Sequence, residues 1–101
     1  MKIDIEDIRS ASNRVLDHLV VGGTKEIDIE ENFYWQLLGE QAFDMNLTKE
    51  QIELAIGSLS DDWEFTKSLL NKDATPVPYQ LTEIAPLIYA IGHIAAKKGI
   101  F

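Results

Sequence analysis

The C-terminal segment constrains the fold most strongly, because residues 79–98 form a helical pattern that is apolar on nearly every face. Its apolar residues are Leu81, Ile84, Ala85, Leu87, Ile88, Tyr89, Ala90, Ile91, Ile94 and Ala95. A helix of this composition is surrounded by protein. We therefore predict a central core helix, with Pro86 near its start or at a kink and the basic residues Lys97 and Lys98 before Gly99 at its end.

Two earlier segments also predict helices. From Ile5 to Val20 apolar residues recur every three or four positions, acidic residues occupy the first turn, and Gly22 and Gly23 end the pattern. Near residue 58, Ser58 or Ser60 can cap a second helix, because acids follow it directly. The acids of this first turn are Asp61, Asp62 and Glu64, and the apolar residues predicted to face the core are Trp63, Phe65, Leu69 and Leu70.

Two segments in the middle of the chain can each be interpreted as one of two kinds of structure. Residues 26–30 alternate between acidic and apolar side chains before the aromatic run at 33–35, which indicates a short strand or an extended loop whose aromatics plug the core. Residues 48–57 carry a capping-box pattern that favours a helix, whereas alternating apolar residues at 52–56 favour a strand. The predicted fold is a single domain over residues 1–101, mainly α, with three or four helices and a short β element near residues 26–37 left open.

Composition excludes several classes of protein. A chain of 101 residues forms one domain, and a hydrophobic content of 46% is too high for a disordered tail. The absence of cysteine excludes disulfide scaffolds, iron–sulfur clusters and thiolate zinc sites. Because the N-terminus is acidic and the longest apolar run is interrupted by prolines and charges, we expect neither a signal peptide nor a membrane span, and we expect a soluble, cytoplasmic protein.

The sequence provides no positive evidence for catalysis or metal binding. His18 and His93 lack a second ligand at helical spacing, and the acidic run that starts at Asp28 resembles a calcium loop only until Phe33, where the turn requires glycine. No phosphate-binding glycine loop or nucleophile elbow is present. We therefore predict that the protein is not an enzyme and that it has no catalytic residue, metal or cofactor.

The charge is concentrated in the middle of the chain. Residues 26–64 carry eleven acidic side chains and only one basic side chain, that of Lys49. The formal net charge of the whole chain is −8. Because the lysine and arginine residues are scattered and the net charge is negative, we expect that the protein does not bind nucleic acid. An acidic surface attracts basic proteins, although it can also serve solubility alone.

The aromatic run next to these acids predicts a binding hot spot with a charged rim, or side chains that close a small core. The candidate partner-binding residues are Glu26, Asp28, Glu30, Glu31, Tyr34, Trp35, Asp61, Asp62 and Glu64.

Three features together resemble a known group of proteins: Tyr34 with Trp35, the segment from Gly57 to Trp63, and the apolar final helix. This pattern is similar to that of small acidic bacterial proteins of unassigned role, some of which resemble immunity proteins of toxin systems. The acidic middle of the chain and its aromatic residues predict a non-catalytic, acidic protein-binding module, and the resemblance implies that its basic partner is a toxin that it neutralises. The alternative is a structural or assembly protein that self-associates, for example as a homodimer.

Overall fold

A computed structural model describes residues 1–30 and 58–101 of the chain, and these residues are mainly helical, as predicted. Helix α1 comprises Ile5–Val21, helix α2 comprises Leu59–Lys67, and helix α3 comprises Leu81–Lys97. Single 3₁₀ turns at Ser68–Leu70 and Pro78–Gln80 lie between α2 and α3.

Helix α1 begins and ends where the sequence predicts. The Asp4 side chain caps its N-terminus by accepting a hydrogen bond of 3.0 Å from the backbone N–H of Asp7. At the other end Gly23 adopts a φ of 99°, which favours glycine, and the backbone N–H of Thr24 donates to the carbonyl of Leu19 at 2.8 Å. This Schellman motif turns the chain out of the helix and toward residues 24–30.

Helix α2 is capped by Ser58, whose hydroxyl oxygen accepts from the backbone N–H of Asp61 at 3.4 Å. The prediction that its large apolar residues face the core is wrong for Trp63, Phe65 and Leu70, which are exposed. The buried residues of α2 are instead Leu59 and Asp62. Since a helix turns about 100° per residue, positions three apart share a face, and Trp63 and Phe65 lie to either side of that face.

Helix α3 continues from the second 3₁₀ turn, where Gln80 Oε1 accepts from the backbone N–H of Val77 at 2.8 Å. Pro86 lies inside the helix. The helix ends in a second Schellman motif, in which Gly99 has a φ of 71° and the N–H of Ile100 donates to the carbonyl of Ala95 at 2.9 Å. The predicted C-terminal boundary is therefore confirmed.

The core lies between α2 and α3. Leu59 packs with Leu87 and Ala90, and Ile29 from the segment after α1 covers this cluster. Ile94 and Ala95 are also buried on α3. The expectation that α3 is surrounded by protein is wrong for one side, because Leu81, Ile88 and Tyr89 are exposed. Apolar content alone therefore overestimates the burial of this helix.

Residues 24–30 form neither a helix nor a strand. Their predicted alternation is present in burial, because Ile27 and Ile29 are half-buried whereas Glu26, Asp28 and Glu30 are exposed. The remainder of the predicted β element, at 31–37, and the ambiguous stretch at 48–57 lie outside the described residues.

Candidate partner-binding groove

An open groove of about 730 Å³ lies where α1, residues 24–29, α2 and α3 meet. Helix α1 contributes Leu16, Leu19 and Val20; the last two follow Leu16 by three and four residues and so share one side of the helix with it. None of the residues of α1 is buried. The apolar side of α1 therefore lines the groove and is not buried in the core of the described residues.

The other walls of the groove are also mainly aliphatic. Ile27 and Ile29, two residues apart in the segment 24–30, both line the groove and are both half-buried. Trp63 contributes an aromatic surface from α2, and Leu87 and Ile91 contribute from α3. Apolar side chains from four segments thus line one concave surface.

Charged residues lie at the border of this surface. Among the described residues that line the groove, Lys25 and Glu26 are the charged ones. Asp28 and Glu30 are exposed residues of the same segment, where they alternate with the isoleucines that line the groove. Among the predicted site residues, the structure therefore brings Glu26 to the groove and Asp28 and Glu30 to its neighbourhood.

The three acids of α2 differ in their surroundings. Asp61 is exposed, and Glu64 is exposed and forms an ion pair with Lys67 at 2.8 Å. Asp62 is only 8% exposed, so it does not belong to an accessible acidic surface in this conformation. Because Ser60 and Trp63 line the groove, the first turn of α2 and Glu26 face the same cavity. Glu31, Tyr34 and Trp35 lie outside the described residues.

The arrangement of Lys67 also affects the groove. Its ammonium lies 5.9 Å from the centre of the Trp63 ring, within the range of a cation–π contact. The same lysine forms an ion pair with Glu64, so the Trp63 ring lies beside two opposite charges that compensate each other. Trp63 therefore presents a positioned aromatic surface to the groove.

The sequence interpretation missed the apolar part of this site. The sequence predicts that Trp63 faces the core, and it places Leu16, Leu19 and Val20 only among the apolar positions of an amphipathic helix. The alternation at residues 26–30 was the available signal, since it separates the acids from the isoleucines that enter the groove. Apolar periodicity identifies a face but does not show whether another part of the chain covers it.

The described residues contain no group of three or more histidine, cysteine or carboxylate side chains that could hold a metal ion. Among the same residues, no helix has both the length and the apolar character that spanning a bilayer requires. No protein-family model matches the sequence, and searches of curated proteins and of solved structures found no significant match.

Proposed function

We propose that this protein is a non-catalytic, acidic protein-binding module, and that its groove receives apolar side chains from a basic partner protein. The observation that supports this proposal is an open apolar groove of about 730 Å³ with Glu26 at its border and Asp28 and Glu30 on the adjacent segment. An apolar surface beside acids suits a partner segment that combines aliphatic and cationic side chains.

The lining favours a protein segment over a small molecule. Small-molecule sites fix their ligand with a few polar groups that converge from several segments. Among the described lining residues, three of the four polar ones, Thr24, Lys25 and Glu26, are consecutive, and Ser60 is the fourth. Recognition of an amphipathic helix requires an elongated apolar surface, and specificity then comes from charges along its edge. The partner we infer is therefore a basic protein that presents an amphipathic segment.

The net charge of −8 gives the acidic surface a second role. Long-range attraction raises the rate at which a basic protein meets its partner, and this effect weakens as salt is added. Neutralisation of a basic toxin in the cytoplasm of a bacterium is the specific form of the proposal that the sequence resemblance suggests. Such a partner would be bound through its cationic surface.

The first test uses a synthetic helical peptide with leucines on one side and lysines on the other, labelled with a fluorophore for anisotropy. We expect binding that weakens at least tenfold when NaCl is raised from about 50 to about 500 mM. A scrambled peptide of the same composition should bind much more weakly, because it lacks a continuous apolar side. Equal binding of both peptides, or affinity indifferent to salt, would contradict the proposal.

Two matched pairs of variants assign that binding to the groove. Leu16→Ser changes a residue that lines the groove, and Val15→Ser makes a similar polar change at its exposed neighbour, which does not line it. Glu26→Lys changes the groove border, and Asp73→Lys makes the same charge change at an exposed residue that does not line the groove. We expect about tenfold weaker binding for the first member of each pair, worth about 1.4 kcal/mol, and changes below about threefold for the second.

Self-association is the second candidate function. The observation that favours it is the exposed apolar side of α3, which lies away from the groove and is formed by residues that do not line it.

A further inference from the structure

We propose that α3 forms an antiparallel homodimer through its exposed side, so that the second copy of this chain is the partner for that surface. This inference rests on the second candidate function, self-association, and it is independent of the groove. Helix α3 directs Leu87 and Ile91 toward the groove and Leu81, Ile88 and Tyr89 toward solvent. One helix therefore has two separate apolar surfaces.

The exposed side of α3 forms a continuous stripe. Leu81 is 66% exposed, Ile88 is 43% exposed and Tyr89 is 55% exposed. Exposed small residues at positions 85, 92 and 96 complete the stripe. At about 100° per residue these six positions fall within an arc of about 100°, which is the width of a typical helix-packing face.

The order of residues along the stripe is symmetric. Its six positions, 81, 85, 88, 89, 92 and 96, are separated by steps of four, three, one, three and four residues. A two-fold axis between Ile88 and Tyr89 therefore places each position of one helix opposite a stripe position of an antiparallel copy. This is the property that an isologous interface requires, because the same surface contacts itself.

The opposed side chains also have complementary sizes. The two-fold axis pairs Leu81 with Ala96, and Ala85 with Gly92, while Ile88 meets Tyr89 at the centre. At each end of the contact the large Leu81 thus meets the small Ala96. Between the ends and the centre, Ala85 meets Gly92, and these two small residues allow the helices to approach closely. A Cβ added at Gly92 would have no atom within 4 Å, so its small size is not required by the described packing of the chain itself.

The chemistry of the stripe suits a second copy of an acidic protein. None of its six residues is ionisable at neutral pH, so two chains of charge −8 can meet there without opposed like charges at the contact. Antiparallel packing also places the negative end of each helix dipole beside the positive end of the other. A strongly basic partner would find no carboxylate on this stripe.

Tyr89 supplies an anchor at the centre of the stripe. Its ring is stacked on His93 with centroids 6.2 Å apart and an angle of 11° between the planes. A positioned aromatic side chain loses less conformational freedom on binding than a long flexible one. Because one helix side per copy forms a contact smaller than about 1,200 Å², we expect a weak dimer with a dissociation constant in the micromolar range.

Sedimentation velocity of the full chain, from about 5 to about 500 µM, tests the dimer. We expect the weight-average sedimentation coefficient to rise with concentration, and the dissociation constant to increase at least tenfold in Ile88→Glu. The control Phe65→Glu places the same charge at an exposed residue of α2 and should leave the dissociation constant unchanged. A chain that stays monomeric at the highest concentration, or equal effects of the two variants, would overturn the proposal.

The antiparallel register has its own test, because the chain contains no cysteine. Leu81→Cys and Ala96→Cys are prepared separately, each with a different mass tag, and oxidised alone or as a mixture. We expect a disulfide-linked species in the mixture that contains both tags, and little cross-linking in either variant alone. Efficient cross-linking of Leu81→Cys with itself would indicate a parallel pair and would overturn the register.

The same variants separate this proposal from the groove proposal. Ile88→Glu should retain affinity for the amphipathic peptide because Ile88 does not line the groove. Leu16→Ser should retain the dimer. Dimer formation without peptide binding would support α3 as an interface and contradict the groove proposal. Peptide binding without dimer formation would support the groove proposal and contradict the α3 interface.

Discussion

Replacing Leu59 by alanine should be among the most destabilising single changes in the described part of the chain. Leu59 is only 3% exposed and packs with Leu87 and Ala90 in the core cluster. It is also the first residue of α2 and lines the groove. Its side chain therefore connects the packing of α2 on α3 with the shape of the candidate site.

The expected loss follows from the atoms removed and from their surroundings. Leucine to alanine removes three carbon atoms, which at about 0.8 kcal/mol each gives a transfer term of about 2.4 kcal/mol. Leucine-to-alanine changes in closed cores cost up to about 5 kcal/mol because a sealed cavity remains. Here the space opens into the existing groove, so the cavity term is small. We expect a loss of about 2–3 kcal/mol.

Urea denaturation followed by circular dichroism measures this loss, and thermal unfolding should show a decrease on the order of 10–20 °C for a domain of this size. The matched control is Leu70→Ala, the same substitution at a side chain that is 74% exposed, which should change the free energy of unfolding by less than about 0.5 kcal/mol. Similar losses for the two variants would refute the assignment of Leu59 to the core.

Four further changes test the ends and the interior of the helices. Asp4→Ala removes the cap of α1 and should cost about 1 kcal/mol in urea denaturation, with a loss of helical circular dichroism. Thr66→Val should stabilise the chain by about 1 kcal/mol, because the buried hydroxyl of Thr66 has no hydrogen-bond partner among the described residues. Gly23→Ala should destabilise by about 1 kcal/mol because its φ is 99°, whereas Gly92→Ala in α3 should be neutral or stabilising when measured in dilute monomer.

The helix boundaries could be predicted because their signals are local. Asp4 and Ser58 cap their helices with their own side chains, and Gly23 and Gly99 supply the positive φ that a Schellman motif requires. Each signal acts within a few residues of the helix end. The sequence therefore contained the information for where α1, α2 and α3 start or stop.

Burial was harder to predict, because it depends on segments that are distant in the sequence. Trp63 was expected to face the core as an apolar residue of α2, but the buried residues of this helix are Leu59 and Asp62. In the same way, the apolar composition of α3 predicted burial on every side, whereas Leu81 and Tyr89 are exposed. Periodicity gives the direction of a side chain around its own helix, and only the packing of other segments decides which directions are covered.

The acidic residues show why composition suggests a partner but does not define a surface. Within the described residues, Glu26 borders the groove, Asp62 is buried, and Glu64 is paired with Lys67. Adjacent helix positions point about 100° apart, so a run of acids such as Asp61 and Asp62 cannot form one patch on its own. The net charge sets the long-range attraction to a basic protein, and the local position of each carboxylate decides whether it takes part in the contact.

The two proposed surfaces respond to that charge in opposite ways. At the groove, acids near the contact attract a basic segment, so added salt screens a favourable interaction and weakens binding. At the α3 stripe, the contact itself is uncharged and each copy carries −8, so added salt screens an unfavourable repulsion and strengthens the dimer. One acidic chain can therefore use its charge to select a partner at one side of α3 and to limit self-association at the other.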